Sequence, residues 1–303
     1  DPFDTFDAQL QSSFQAIDSD LSSEYEMINA AINSGFQQLS KEVESVWGQG
    51  EVRLPEKHIW VDYSDDKSTR RIFDFASESL TVEHLIDPNA SFESTSATIK
   101  EAVYEAKTDT TTDLAVKDDA LKYAMNSLAK SGIDLTESSV RGDLAREPIL
   151  GDNLLISKKT VDAIDAIVKE QTDGATQIKP TDNSKMKSAV SPTKSGVQQD
   201  ATESRRSTQL SSKLTKGGKR KISVTIPLKP DFMINRSKEF RTAVLEQADR
   251  HKLQPSLIFA IMETESHFNP RAKSPIPAFG LMQLVPSSGG VDSYNYLYGT
   301  KKI

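Results

Sequence analysis

Apolar residues at the start of the chain recur every eleven positions. Phe6, Ile17, Ile28 and Leu39 form one series, Leu10, Leu21, Ile32 and Val43 a second, and Phe14, Tyr25, Phe36 and Trp47 a third. An eleven-residue repeat corresponds to about 3.67 residues per turn, which predicts one long amphipathic helix over about residues 4–47. Its other faces carry Asp, Glu, Ser and Gln, with Lys41 the only basic residue. Such a stripe is expected to pack along a protein body or a second helix. A lipid surface is the lesser expectation, because interfacial helices favour basic polar faces.

Past Gly48 and Gly50 the period changes from helical to strand-like. Runs at 58–63, 70–75 and 80–86, separated by Ser64-Asp65-Asp66 and by Ala76-Ser77-Glu78-Ser79, predict a three-stranded antiparallel meander with one face to be covered. Helices predicted over Ser96–Lys107 and Lys117–Lys130 are expected to cover it, and Ser131-Gly132 ends the second. A further helix is predicted over Lys159–Gln171.

From Thr172 to Lys219 the chain is rich in Ser, Thr, Lys, Gln and Asp and almost free of large apolar residues, the composition of a linker. Its basic residues, from Lys179 to Lys216, suit acidic polymers or anionic lipid, but a solvated tether is the first expectation. Residues 221–227 then alternate strictly and predict a strand returning to the meander, with Pro227 at its end. A helix from an N-cap at Ser237 to His251 follows. After the turn at 252–256 comes a helix apolar on every side, from Ser256 through Leu257, Ile258, Phe259, Ala260, Ile261 and Met262, stopped by Asn269-Pro270. The expected class is α+β, with divisions 1–47 (long helix), 48–171 (α+β domain), 172–220 (polar linker) and 221–303 (strand plus a mainly helical part).

A hydrophobic content of 36% with 27% charged residues, in 303 residues, fits a polar segment within the chain. The net charge of -7 argues against a nucleic-acid partner. Cysteine is absent, so neither disulfides nor thiolate chemistry enter. Four histidines without a His-x-x-x-His spacing give no metal site. No cofactor is expected. No apolar run is long enough to span a membrane. The chain starts at Asp1, without a basic-then-apolar leader, and reads as a mature or trimmed product.

The chemistry gathers where the apolar helix runs into Glu263 and Glu265. Burial at a helix end disfavours the charged form of a carboxyl and suits it to proton donation. The two acids point to different sides of the helix. Glu265 continues the row of Leu257 and Ile261, expected to face packed protein, whereas Glu263 follows Phe259; the pattern leans towards Glu265 without deciding.

Glu265-Ser266-His267-Phe268-Asn269-Pro270, followed by Gly280-Leu281-Met282-Gln283, resembles the signature of the soluble-lytic-transglycosylase catalytic domain, a relative of goose-type lysozyme. The resemblance covers about 237–303 and implies a lysozyme-like helical fold with Glu265 as sole catalytic acid/base. It also implies glycan contacts from Ser266, Met282 and Gln283, close backbone approach at Gly280, and a packing role for Phe268. His267 is expected to face solvent. The meander, introduced by Val46-Trp47-Gly48, resembles the N-terminal domain of membrane-bound lytic murein transglycosylase C.

The implied partner is peptidoglycan glycan. The implied reaction is non-hydrolytic cleavage of the β-1,4 bond between N-acetylmuramic acid and N-acetylglucosamine, giving a 1,6-anhydro end. One carboxyl suffices if the sugar's own 6-hydroxyl is the nucleophile, whereas hydrolysis ordinarily takes two; Asp292 is the only acid after Glu265. The implied location is the bacterial periplasm or envelope, with membrane association through a segment outside this chain. The family's domain continues to an Ala-Tyr-Asn-type motif that Tyr294-Asn295 does not match, so the chain reads as C-terminally truncated. That departure gives a second expectation: a non-catalytic cell-wall-binding scaffold.

Overall fold

The structure, a computed structural model, describes residues 26–131, 148–173, 207–274, 278–290, 292–293 and 296. Five antiparallel strands form one sheet. They are β1 (Ile59–Tyr63), β2 (Thr69–Asp74), β3 (Ser79–Leu85), β4 (Gln209–Leu214) and β5 (Arg220–Pro227), in the spatial order β1-β2-β3-β5-β4. The predicted meander is present. The predicted returning strand is β5, and it pairs with β3 in the register Leu80↔Ile226 and Val82↔Val224.

Strand alternation sends side chains to two apolar layers, so both sheet faces are covered rather than one. Trp60, Phe73, Leu80, Val82, Ile222, Val224 and Ile226 enter the larger core. Helices α2 (Phe92–Thr108) and α5 (Lys158–Asp173) close it, through Ile99, Val103, Ile164 and Val168. Val61, Tyr63 and Leu85 face the other way, onto Leu39, Val43 and Trp47 of helix α1, residues 26–47. The eleven-residue stripe is therefore an intramolecular surface over these residues; its predicted extension through 4–25 lies outside the described residues. Trp47 is completely buried, donates Nε1–H to the Lys67 carbonyl and lies 4.0 Å beneath the Arg70 guanidinium.

The predicted helix over 117–130 is α4 (Asp119–Lys130), and a short helix that the pattern did not predict, α3 (Thr111–Lys117), precedes it. Asp118 separates them as the N-cap of α4, accepting from the Leu121 amide at 2.9 Å. Helix α4 packs mainly on α1, through Ala124 and Leu128 against Ala31, rather than on the sheet.

Strand β4 lies inside the stretch expected to be linker. Its sequence, QLSSKL, is polar and largely solvent-facing. Pairing with β5 defines it, through a turn in which Thr215 N–H donates to Lys219 O at 2.7 Å and Gly218 takes φ +79°. The expected linker from 174 to 206 lies outside the described residues.

After β5 come α6 (Phe232–Glu239), α7 (Arg241–His251) and α8 (Pro255–Ser266). The helix expected to begin at Ser237 is thus two helices broken at Phe240. Ser237 is no cap: it sits inside α6 and donates its hydroxyl to Ile234 O at 2.8 Å. Phe232 stacks on Phe75 of the sheet body at 6.1 Å. Fully buried Arg236 donates Nε–H to Phe268 O at 3.2 Å and pairs with Glu239. A small core of Val244, Met262 and Phe268, with Phe240 and Phe259 beside it, binds α7 to α8.

Candidate active site

Helix α8 starts with Pro255 at its first position, where the missing N–H is harmless. It ends at His267 and Phe268, which take φ of +51° and +56°. Asn269 is fully buried; its amide donates to Ser266 O at 3.0 Å and its Oδ1 accepts from the Arg271 amide at 3.0 Å. The expected stop at Asn269-Pro270 is a tight reversal held by these bonds.

The expectation of a helix buried all round does not hold among the described residues. Only Met262 and Ser266 are fully buried in α8. Leu257 is 51% exposed and Ile261 37%, so the row leading to Glu265 faces outward. An apolar sequence dictates where a helix is stable, not that a layer stands over every side of it. Glu265 therefore sits at a helix end open on one side, its side chain 37% exposed, with Oε2 3.2 Å from Lys57 Nζ. Glu263 is exposed.

Ser266 is placed differently from the expectation that it meets substrate. It is fully buried, and its hydroxyl reaches Met262 O at 2.8 Å and Leu281 O at 3.0 Å. It joins the end of α8 to the Gly280-Leu281-Met282-Gln283 loop, so the two halves of the signature meet in space through this side chain. Gly280 takes φ +75° and donates its amide to Ala272 O at 2.8 Å, a conformation that favours glycine. The loop closes as Phe279 and Leu284 exchange N–H···O bonds of 2.9 and 3.0 Å.

Gln283 takes φ +49° and donates Nε2–H to Ala272 O at 3.2 Å and Gly280 O at 3.1 Å, leaving its buried Oε1 without a partner. Its amide holds the loop's shape. Met282 is exposed beside it. Phe268 is buried and stacks on Phe240 at 6.1 Å, the packing role expected of it.

The sheet body supplies residues that no local motif announced. His58 packs on His267 with ring centroids 3.9 Å apart, so His267 is not a solvent-facing residue. Arg271 pairs with Asp118 and lies 5.8 Å over the Trp60 ring, and Lys273 Nζ sits 3.5 Å over Phe36. Between them is a mainly apolar cavity of about 250 Å³, walled by Phe36, Trp60 and Ala124 on one side and Pro270, Arg271 and Phe279 on the other. Burial holds the Lys273 ammonium below the usual lysine range. Among the described residues, no group of three or more His, Asp or Glu side chains converges as metal ligands, and no helix is long and apolar enough to cross a membrane.

A Glu-Ser helix end is thus joined through a serine to a Gly-Leu-Met-Gln loop and docked on an α+β body. The Transglycosylase SLT domain family matches residues 242–302. The family described as Membrane-bound lytic murein transglycosylase C, N-terminal domain, matches residues 25–118. Both parts are thus similar to membrane-bound lytic murein transglycosylase C. The protein of that name from Pectobacterium atrosepticum is 27% identical over 255 residues, 84% of this chain and 57% of the relative. That from Serratia proteamaculans is 26% identical over 252 residues, 83% and 56% respectively. A shorter match, to that from Haemophilus ducreyi, is 40% identical over 86 residues, 28% of this chain and 23% of the relative. The chain spans little more than half the length of the relatives it matches along most of its own length.

Proposed function

We propose that the chain belongs to a peptidoglycan lytic transglycosylase of the bacterial cell envelope, with Glu265 as its one general acid/base. The carrying observation is the Ser266–Leu281 bond, which joins the acid-bearing turn to the Gly280 loop. In this reading the Glu265 carboxyl protonates the leaving oxygen of the β-1,4 bond between N-acetylmuramic acid and N-acetylglucosamine. The substrate's N-acetyl group stabilises the developing cation. The resulting carboxylate then takes the proton from the sugar's 6-hydroxyl as that oxygen attacks carbon 1. The product is a 1,6-anhydro end, and no water is consumed. The first step needs Glu265 protonated and hence parted from the Lys57 ammonium. Both side chains are more than a third exposed, so this pair opens at little cost.

Exposed Met282 lines the glycan path in this reading. Ser266 and Gln283 act on substrate through the loop they hold, and Phe268 and Gly280 set its geometry. The body of residues 48–171 orients the catalytic part, with the polar stretch between them in sequence.

A second reading is favoured by the open face of α8 at Leu257 and Ile261: a scaffold that holds glycan without cleaving it. Mass spectrometry of peptidoglycan treated with the chain, beside a Glu265→Gln control, separates the two. Anhydro-ended fragments lost in the control support the transglycosylase. Hydrated ends would make it a hydrolase, and retained binding without fragments would leave the scaffold.

A further inference from the structure

We propose that the cavity between α1, α4 and the loop after α8 is a binding site for a small carboxylate with an apolar body, an arylalkanoate in size and shape, anchored on Lys273. Glu265 does not line this cavity, so the proposal stands apart from the reading of Glu265 as the acid/base.

The space sets the size of the guest. An apolar cavity of roughly 150 Å³ holds one benzene ring. This cavity is about 250 Å³ and opens to solvent on one side, so it admits a ring with a short chain. Its walls are mainly apolar, with the rings of Phe36, Trp60 and Phe279 among them and Leu121 and Ala124 of α4 beside them. Rings so placed suit a flat apolar guest, which gains contact area and ring–ring packing together. Sites for small molecules have this character: an apolar lining with a few polar groups that fix orientation.

The charges in the wall set its chemistry. Asp118, Arg271 and Lys273 are the charged residues there. Asp118 and Arg271 are paired with each other, which leaves one positive charge over. Lys273 carries it. The residue is partly buried, with Nζ 3.5 Å from the centre of the Phe36 ring and 6.0 Å from that of Phe279. Among the described residues its ammonium has these ring contacts but no ion pair and no hydrogen bond. An ammonium has three N–H donors. Withdrawing it from water without a counter-ion is costly, and aromatic faces offset only part of that cost. A guest carboxylate supplies the missing partner, and one carboxylate balances the one charge left over. A guest amine meets a cation instead. A bound guest touches α1 and α4 on one side and residues 270–273 and 279–280 on the other, so it draws the loop after Glu265 against the sheet body.

The test titrates the full chain with hydrocinnamate, its neutral amide and phenylpropylamine, three probes with one ring and different heads. Amide NMR shifts report affinity and place, with β2 and β3 as controls for the fold. Hydrocinnamate is expected to bind with a submillimolar Kd, as its size allows, and to shift the amides of residues 271–273, 279–280 and 121–124. The neutral amide is expected to bind about ten-fold more weakly, the usual scale for a hydrogen bond to a charged group, and the amine more weakly still. Lys273→Met keeps the apolar stem and is expected to lose that ten-fold for hydrocinnamate alone, whereas Lys273→Arg retains it. Leu121→Trp fills the space from a partly exposed position and is expected to weaken both hydrocinnamate and its amide. No binding at several millimolar, shifts centred elsewhere, equal affinity for the acid and its amide, or an undiminished affinity in Lys273→Met or Leu121→Trp would each overturn the proposal.

Discussion

The Arg271 guanidinium, six residues beyond Glu265 in the sequence, is ion-paired with the Asp118 carboxylate of the sheet body, and the same carboxyl group caps helix α4. One side chain thus starts a helix in one part of the molecule and anchors the loop after the acid in the other.

Its two roles are separable by substitution. Asparagine caps a helix as well as aspartate does but cannot pair with arginine, whereas alanine does neither. Asp118→Asn is expected to loosen the Arg271 contact and leave α4 intact. Asp118→Ala is expected to be less stable than Asp118→Asn by about 1 kcal/mol, the usual worth of a cap. Chemical denaturation of the two variants measures the difference. Equal stabilities would mean that the carboxyl does not cap α4.

Gly35 offers a case where the usual rule reverses. Replacing an exposed mid-helix glycine by alanine stabilises a helix by about 1 kcal/mol. Here a Cβ would lie 2.2 Å from the Ala120 carbonyl oxygen and 3.1 Å from the Ala124 amide, both backbone atoms of α4 packing against α1. Gly35→Ala is therefore expected to push α1 off α4 and to destabilise by about 1–3 kcal/mol, the range for overpacking. Thermal unfolding reads the sign directly, and a raised midpoint would refute the close packing.

What the sequence made legible follows from how far apart the informative residues lie. Period-two alternation marked β2, β3 and β5, because each buries one side chain in two on a given face, and β1 was marked as a mostly apolar run between turn residues. The stripe of α1 was equally plain. Strand β4 was not, since its polar QLSSKL run is a strand only because β5 is beside it. Nor was the break at Phe240, where no glycine or proline interrupts the helical pattern of 232–251.

At the site, Glu265 and the Gly280 loop were visible as motifs, but Lys57, His58 and Asp118 were not. Their contacts with α8 and Arg271 join residues with no local relation in the sequence. Conversely, a uniformly apolar run suggested burial on all sides of α8, which depends on neighbours that periodicity cannot report.

The histidines give stability a defined pH dependence. Desolvation, then the nearby charges of His267 and Lys57, lowers the His58 imidazole, outweighing the opposing influence of the Thr264 backbone and the charge of Asp74. Desolvation also lowers buried His84, which shares a 2.8 Å hydrogen bond with Thr69, against the opposing charge of Asp66. Both lie below the ordinary value of about 6.5, so between the folded and unfolded values the unfolded chain binds more protons. Stability is then fully present above about pH 6.5 and falls as pH drops through that window towards the folded values. Denaturation midpoints are expected to decline from pH 7.5 to 5.5 (roughly one unit either side of the ordinary value), with a shallower decline in His84→Gln. A flat or rising profile would contradict both directions.

Ser266→Ala distinguishes a serine that touches glycan from one that holds the site together. The hydroxyl is buried and directed at Met262 O and Leu281 O, so its removal strands the Leu281 carbonyl without touching the Glu265–Lys57 pair. Losing one partner of a buried hydrogen bond costs about 1–3 kcal/mol. The variant is expected to lose stability on that scale and to show faster amide exchange from Gly280 to Gln283, while the sheet strands exchange as before. Under the proposed function, anhydro-product formation falls with the loosened loop and is recovered in part on cooling or by a distant stabilising substitution. If Ser266→Ala instead keeps its stability and loop protection but binds glycan strands more weakly, the hydroxyl reaches substrate, and the structural role argued from its burial is wrong.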